Sequence, residues 1–139
     1  MQAEKGRIFI GRLPHKADLL ESLAEVCKEN NINMGVFSVI GAVTSANMGY
    51  YKQKEQKYVD CIDLDKKLEI TACIGNISLK DEEIFVHAHI TLADFEGQCY
   101  GGHLMLGTKI FAAEYHIQEL TGDQLIRQFD PPTGLSLWP

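Results

Sequence analysis

The stretch Phe85–Leu106, FVHAHITLADFEGQCYGGHLML, carries the clearest structural signal in the 139-residue chain. Its first half alternates: Val86, Ala88, Ile90 and Leu92 are apolar, while His87, His89 and Thr91 take the positions between them. Successive side chains of a strand point to opposite faces, so this period of two predicts a strand with a core face and a second face carrying both imidazoles. Phe95-Glu96-Gly97 suits a three-residue hairpin loop whose last member sits at positive φ, where glycine has no steric cost. Asp94 then faces Gln98, and counting back from that pair sets His89 opposite His103. Directly opposed residues point to the same side with Cβ atoms about 4.5–5.5 Å apart, so His87, His89 and His103 converge. A two-residue turn would instead put Leu104 opposite His89 and break the cluster.

Three neutral imidazoles suit a divalent transition metal, zinc first, with iron, nickel and copper also compatible. Three protein ligands leave a coordination position open, as catalytic zinc sites do. Gly101 and Gly102 just before His103 predict a close approach of backbone or ligand. The competing reading makes His87 and His89 a solvated strand face and His103 a separate, hydrogen-bonded histidine. The register across the turn is what favours the metal. Binding needs neutral imidazoles, so occupancy is expected to fall as pH drops through the ordinary histidine range near 6.5.

Working outward, the same period of two continues on both sides. Ile8–Leu13, Met34–Ile40, Val43–Tyr51, Tyr58–Ile62, Leu68–Ile74, Ile84–Asp94, Cys99–Leu106 and Ile110–Leu120 read as strands, with Gly41 at a bend and an acidic turn at Asp63 and Asp65. One segment has the helical period instead. Asp18 with Glu21 has capping-box spacing, Leu19, Leu20, Leu23, Val26 and Cys27 share a face, and Asn30 and Asn31 terminate it. The tail from Asp130 to Pro139 reads as an extended arm. These elements predict one α+β domain, a mainly antiparallel sheet with a helix packed on one face, its core spanning about 7–120 and a C-terminal extension at 121–139. A helix of about 13 residues cannot cover six or seven strands, so the uncovered apolar faces are expected to be buried between subunits.

Composition sets the outer limits. A mass of 15.6 kDa, 45% hydrophobic and 23% charged residues describe a single globular domain with a real core. The net charge of −6 opposes coating of nucleic acid by bulk charge. Cys27, Cys61, Cys73 and Cys99 form no CxxC pair and read as buried or half-buried thiols of a reducing compartment. The charged opening MQAEKGRIFIGRLP is unlike a signal peptide, and no run of about 20 apolar residues suggests a membrane span, so the cytoplasm is the expected location.

Other candidate groups carry weaker signals. Glu114 and His116 share a strand face and could supply an acid/base or orient a metal ligand, with Glu114 the candidate proton carrier, although a solvated strand face is the better reading of the pair. Arg12, with Arg7 and Lys16, could hold an anionic substrate carboxylate. The lysines at 52, 54, 57, 66 and 67 alternate with Tyr50, Tyr51 and Tyr58, but Glu55, Asp60, Asp63 and Asp65 among them favour a solvated loop over a nucleic-acid patch. Cys99 is a possible thiol ligand but reads better as half-buried, and His15 beside Pro14 reads as a loop residue.

The segments RLPHKADLLESL, VIGAVTSANMGYY, LEITACIGNISL with its following acidic turn, VHAHITLAD, GGHL and AEYHI together resemble the plant-and-prokaryote-conserved (PPC) domain family, in its stand-alone prokaryotic form, from about Arg7 to Leu120. The resemblance implies an antiparallel α+β fold assembled as a homotrimer. Family members often carry the label "predicted DNA-binding protein", and in plants the domain follows AT-hook motifs that supply the DNA contact. No Arg-Gly-Arg core flanked by basic residues occurs in this chain. The fold also resembles a domain of acetolactate decarboxylase, whose metal is held by three histidines; His87, His89 and His103 match that arrangement in type and approximate order. The expectation is a metal-dependent, lyase-like enzyme or binder of a small anionic oxo- or hydroxy-acid. The alternative is a non-enzymatic regulatory or assembly module with the family's DNA-binding role.

Overall fold

The computed structural model describes residues 2–139, apart from the side chains of Asp60 and Cys61, so the expectation for the Cys61 thiol lies outside it. The elements run β1 (Ala3–Leu13), α1 (Leu19–Glu29), β2 (Gly35–Lys52), β3 (Lys57–Leu64), β4 (Leu68–Lys80), β5 (Glu83–Ala93), β6 (Cys99–Leu104), β7 (Lys109–Gly122), β8 (Gln128–Asp130) and β9 (Leu135–Leu137). Strands β1 to β7 make one antiparallel sheet in the order β1-β7-β2-β4-β5-β6, with β3 paired to β2. Strand β6 also returns to β2, pairing Leu104 with Met48 and His103 with Gly49. That contact closes β2, β4, β5 and β6 into a ring. The antiparallel sheet with one helix is as the strand periods predict.

Helix α1 starts where its cap predicts. The Asp18 carboxylate accepts the N–H groups of Leu20 and Glu21 at 3.0 and 3.2 Å. Its second oxygen accepts the Gly107 N–H at 2.7 Å, which ties the helix start to the β6–β7 connection. Leu19, Ser22, Leu23 and Cys27 form the buried stripe of the helix. They pack with Val39, Ile70, Ile90, Leu92, Leu104 and Ile117 of the sheet's inner face. The helix thus packs on one face of the sheet.

Two segments differ from the sequence expectation. Gly35–Lys52 forms one continuous strand where two are predicted. Gly41, at φ +137°, is a bulge in the β2–β4 ladder, and because β2 stays hydrogen-bonded along both edges the bend never becomes a loop. The tail is a hairpin rather than an extended arm. Leu79 N–H donates to Leu125 O at 2.9 Å and Arg127 N–H to Leu79 O at 2.8 Å, which carries β8 and β9 back over the outer face of β4 and β5. The Tyr51 hydroxyl holds the hairpin turn through Thr133 O at 2.6 Å. The β4–β5 turn is the two-residue Asp81-Glu82, both at positive φ (51° and 65°), which matches the right-handed twist of its strands.

Cys27 and Cys73 are buried, and burial pushes both thiols up to about 12. Cys99 is exposed, not half-buried, because it sits beside the protruding β5–β6 turn. Away from the tail, the outer face is open: Ile8, Ile10, Val36, Ile40 and Ile74 are all exposed on it.

Candidate metal centre

The β5–β6 turn is built by its own first residue. Asp94 N–H donates to Gln98 O at 3.0 Å and Gly97 N–H to Asp94 O at 2.9 Å, with Gly97 at φ +81°. The Asp94 carboxylate also accepts the N–H groups of Glu96 and Gln98, both at 3.0 Å. Lys66 Nζ and the Tyr100 hydroxyl, each at 3.0 Å, complete its shell. Lys66 first, and these hydrogen bonds with it, hold the Asp94 carboxyl down at about 2. The loop therefore has three residues, and the register places His89 opposite His103.

His87 pairs across β4 with Asn76 and His89 with Ile74, which leaves all three imidazoles on the outer face, opposite the helix. Their ring centroids lie 5.2 Å apart for His87–His89, 5.0 Å for His87–His103 and 5.6 Å for His89–His103. One nitrogen from each ring falls within 4.8 Å of the others, so the cluster could hold a metal ion. His87 Nε2 and His103 Nδ1 are buried and have no hydrogen-bond partner. Buried imidazole nitrogens are normally satisfied, and a cation between them would satisfy these, so the donor set fits a transition metal. Tyr58 lies 4.5 Å from the His103 ring, tilted by 37°, and walls that side.

Burial, with the charges of His103, Arg127 and His89 adding to it, pushes the His87 imidazole down to about 4. His103 is also lowered, by burial and then by His89 and Arg127. Both rings thus stay neutral to a lower pH than the ordinary histidine range near 6.5 implies.

The other candidates do not join this cluster within one chain. Glu114 and Arg12 face each other across β7 and β1, and Glu114 is also opposite Ile40. From β7 to β5 is three ladder steps, roughly 14 Å at ~4.8 Å per step. Arg7 is held by Glu119 through bonds of 2.7 and 2.6 Å. His116 stands on β7 opposite Ser38, and His15 Nδ1 contacts Phe111 O at 2.7 Å in a loop. Lys52 and Lys57 both pair with Glu55, as expected of a solvated loop.

One cation near the cluster was not legible in the sequence. Arg127 is only 8% exposed. It donates Nε–H to Ser78 Oγ (2.9 Å), Nη1–H to Ser136 O (3.0 Å) and Nη2–H to Asn76 Oδ1 (2.8 Å). Its guanidinium stacks 4.9 Å from the Phe85 ring and 5.2 Å from Trp138. It sits in a segment without helical or strand periodicity, so no spacing rule pointed to it.

Against known proteins, the profile of the Plants and Prokaryotes Conserved (PCC) domain matches residues 1–121. The chain belongs to this family. Two solved structures resemble it over nearly its whole length. One is a metal-containing protein from Archaeoglobus fulgidus, 40% identical, with TM-score 0.93 and coverage of 99% of this chain and 96% of that one. The other is a plant- and prokaryote-conserved protein from Pyrococcus horikoshii, 36% identical, with TM-score 0.93 and coverage of 99% and 94%. A protein from Bacteroides thetaiotaomicron whose name proposes DNA binding shares the fold at 24% identity and TM-score 0.87, over 99% of this chain and 96% of that one. Among curated proteins, the bifunctional protein GlmU of Synechococcus sp. (strain JA-3-3Ab) is 31% identical over 130 residues, 92% of this chain. The PCC-domain chain spans about a fifth (20%) of that relative's length. No helix among the described residues is long and apolar enough to cross a membrane.

Proposed function

We propose that this PCC-domain protein binds one divalent transition metal, zinc, through His87, His89 and His103, and uses it on a small anionic oxo- or hydroxy-acid, as a lyase-like enzyme or as a ligand binder. The observation that carries this is the convergence of three imidazoles, two of them with buried, unpartnered nitrogens. The metal-containing relative from Archaeoglobus fulgidus supports it. When bound, the metal supplies Lewis acidity toward a chelated oxygen. The chain's own part is to keep His87 and His103 neutral by burial, to exclude water with Tyr58, and to fix the three donors in register. Glu114 would move a proton and Arg12 would hold the substrate only where a neighbouring subunit brings β1 and β7 to the cluster. That assembly is a homotrimer in this reading, supported by Ile10, Ile40 and Ile74, which are 77%, 58% and 64% exposed on the uncovered face. The protein would work in the cytoplasm, where its thiols stay reduced.

Elemental analysis of protein purified without a polyhistidine tag tests the metal. One equivalent per chain, retained by His15→Ala and lost by His89→Ala, is expected; less than about a tenth of an equivalent with no uptake of added zinc would refute it. Sedimentation equilibrium tests the trimer, and a 15.6 kDa species at micromolar concentration would refute that.

The second reading is a regulatory module that binds DNA, favoured by the names of two structural neighbours. Net charge speaks against it. Fluorescence anisotropy with duplex DNA decides: tight binding with a steep salt slope at physiological ionic strength would favour this module.

A further inference from the structure

The C-terminal hairpin, beyond the residues matched to the family, roofs a cavity of about 260 Å³ on the outer face of the sheet. Among the described residues, Arg127, Lys80, His87 and His103 line it, and no aspartate or glutamate does. Lys57 also lines it but is engaged by Glu55 at 3.0 Å. Arg127 is the unusual group. A guanidinium this deeply buried is normally paired with a carboxylate, because a desolvated charge is costly alone. Here all three of its hydrogen-bond partners are neutral, and no ion pair to it exists among the described residues. Five N–H donors minus three used leaves one on each Nη. A planar two-oxygen anion can accept one such N–H from each Nη.

We propose that this cavity is a seat for a small carboxylate, held by Arg127 with Lys80 beside it, whose second oxygen function faces His87 and His103. The seat deepens the small-anion reading above and rests on it for the role of the histidines, but its charge recognition does not require the metal. It also accounts for the C-terminal hairpin, which brings Arg127 onto Ser78 and Asn76 and sets Trp138 over the guanidinium.

Trp138 is the chain's single tryptophan and stacks on Arg127, so its emission reports on the guanidinium of this seat. Metal-free protein is titrated with lactate and, in parallel, with lactamide, its neutral isostere. A saturable change with lactate and none with lactamide is expected. Arg127→Gln should weaken lactate binding by about tenfold or more, and Lys80→Gln by several-fold. Equal responses to the two probes, or unchanged lactate affinity in an Arg127→Gln protein that melts like wild type, would overturn the proposal. So would saturable binding of inorganic phosphate without binding of lactate. Because the lactate–lactamide contrast is read on wild-type protein, it stands even where Arg127→Gln loosens the hairpin. Zinc uptake measured on the same samples keeps the two readings apart: uptake without lactate binding defeats the seat and leaves the metal, while lactate binding without uptake does the reverse.

Discussion

Gly75 is where the sheet beneath the histidines has no room. It lies on β4 opposite Ala88 and next to Asn76, which pairs with His87. A Cβ added there would overlap the His87 carbonyl oxygen and stand 2.5 Å from Phe37 Cζ. Neither neighbour can give way cheaply. The carbonyl belongs to the β5 backbone, and Phe37 is 5% exposed and boxed in the core. Gly75→Ala should therefore cost about 3 kcal/mol, the upper end of ordinary overpacking, as a ring displacement plus a shift of β5 at His87. Equilibrium urea unfolding of metal-free protein at fixed concentration measures it. Adding Phe37→Leu should relieve the ring contact but not the backbone contact, so the double variant should recover roughly 1 kcal/mol of that loss, a non-additive result. Because the displaced strand carries two of the three imidazoles, zinc affinity measured against a competing chelator should fall as well. A Gly75→Ala protein within about 0.5 kcal/mol of wild type, with undiminished zinc affinity, would refute this account of how the site is held.

Gly97 should respond differently, since nothing lies within 4 Å of a Cβ there and only its φ of +81° matters. Gly97→Ala should cost about 1 kcal/mol by urea unfolding and Gly97→Asn clearly less, because asparagine tolerates the left-handed region. Asp94 is held at about 2, below the ~3.9 of an unfolded aspartate, so its contribution is complete above that value and lost as pH falls toward 2. Acid-unfolding profiles of wild type and Asp94→Asn should converge across that window, and parallel profiles would contradict the turn assignment. Zinc at a hundredfold excess over its Kd should stabilise wild type and His15→Ala by about 2.7 kcal/mol in thermal melts and should leave His89→Ala nearly unchanged.

The legible parts of this protein are those where one residue's chemistry fixes the backbone locally. Asp18 caps the helix and Gly97 sets the loop length, and the loop length sets which residue stands opposite His89. The cluster was readable because two local facts, a period of two and a three-residue turn, suffice to bring three imidazoles together. What stayed hidden depends on contacts far along the chain. Gly41 reads as a strand end in sequence, yet β4 and β7 hold β2 on both sides of it. Arg127 reaches Ser78 and Asn76 across about fifty positions (49 and 51), and no periodicity reports such a pairing. Arg12 and Glu114 share a ladder position, but the strand order that separates them from the histidines is a property of the whole sheet.

The closure of β6 onto β2 has a consequence for how this molecule breathes. A six-residue strand at a sheet margin would ordinarily fray on its own, opening and closing while the rest of the fold stayed intact. His103 instead has a partner strand on each side, His89 on one and Gly49 on the other. Releasing it means parting two ladders at once, and the ring they close also contains β4 and β5. Local opening at the histidines therefore costs nearly as much as unfolding the domain. Hydrogen exchange at His103 and Leu104 should follow the global rate, and an ion held there would leave through the outer face long before the strands beneath it separate.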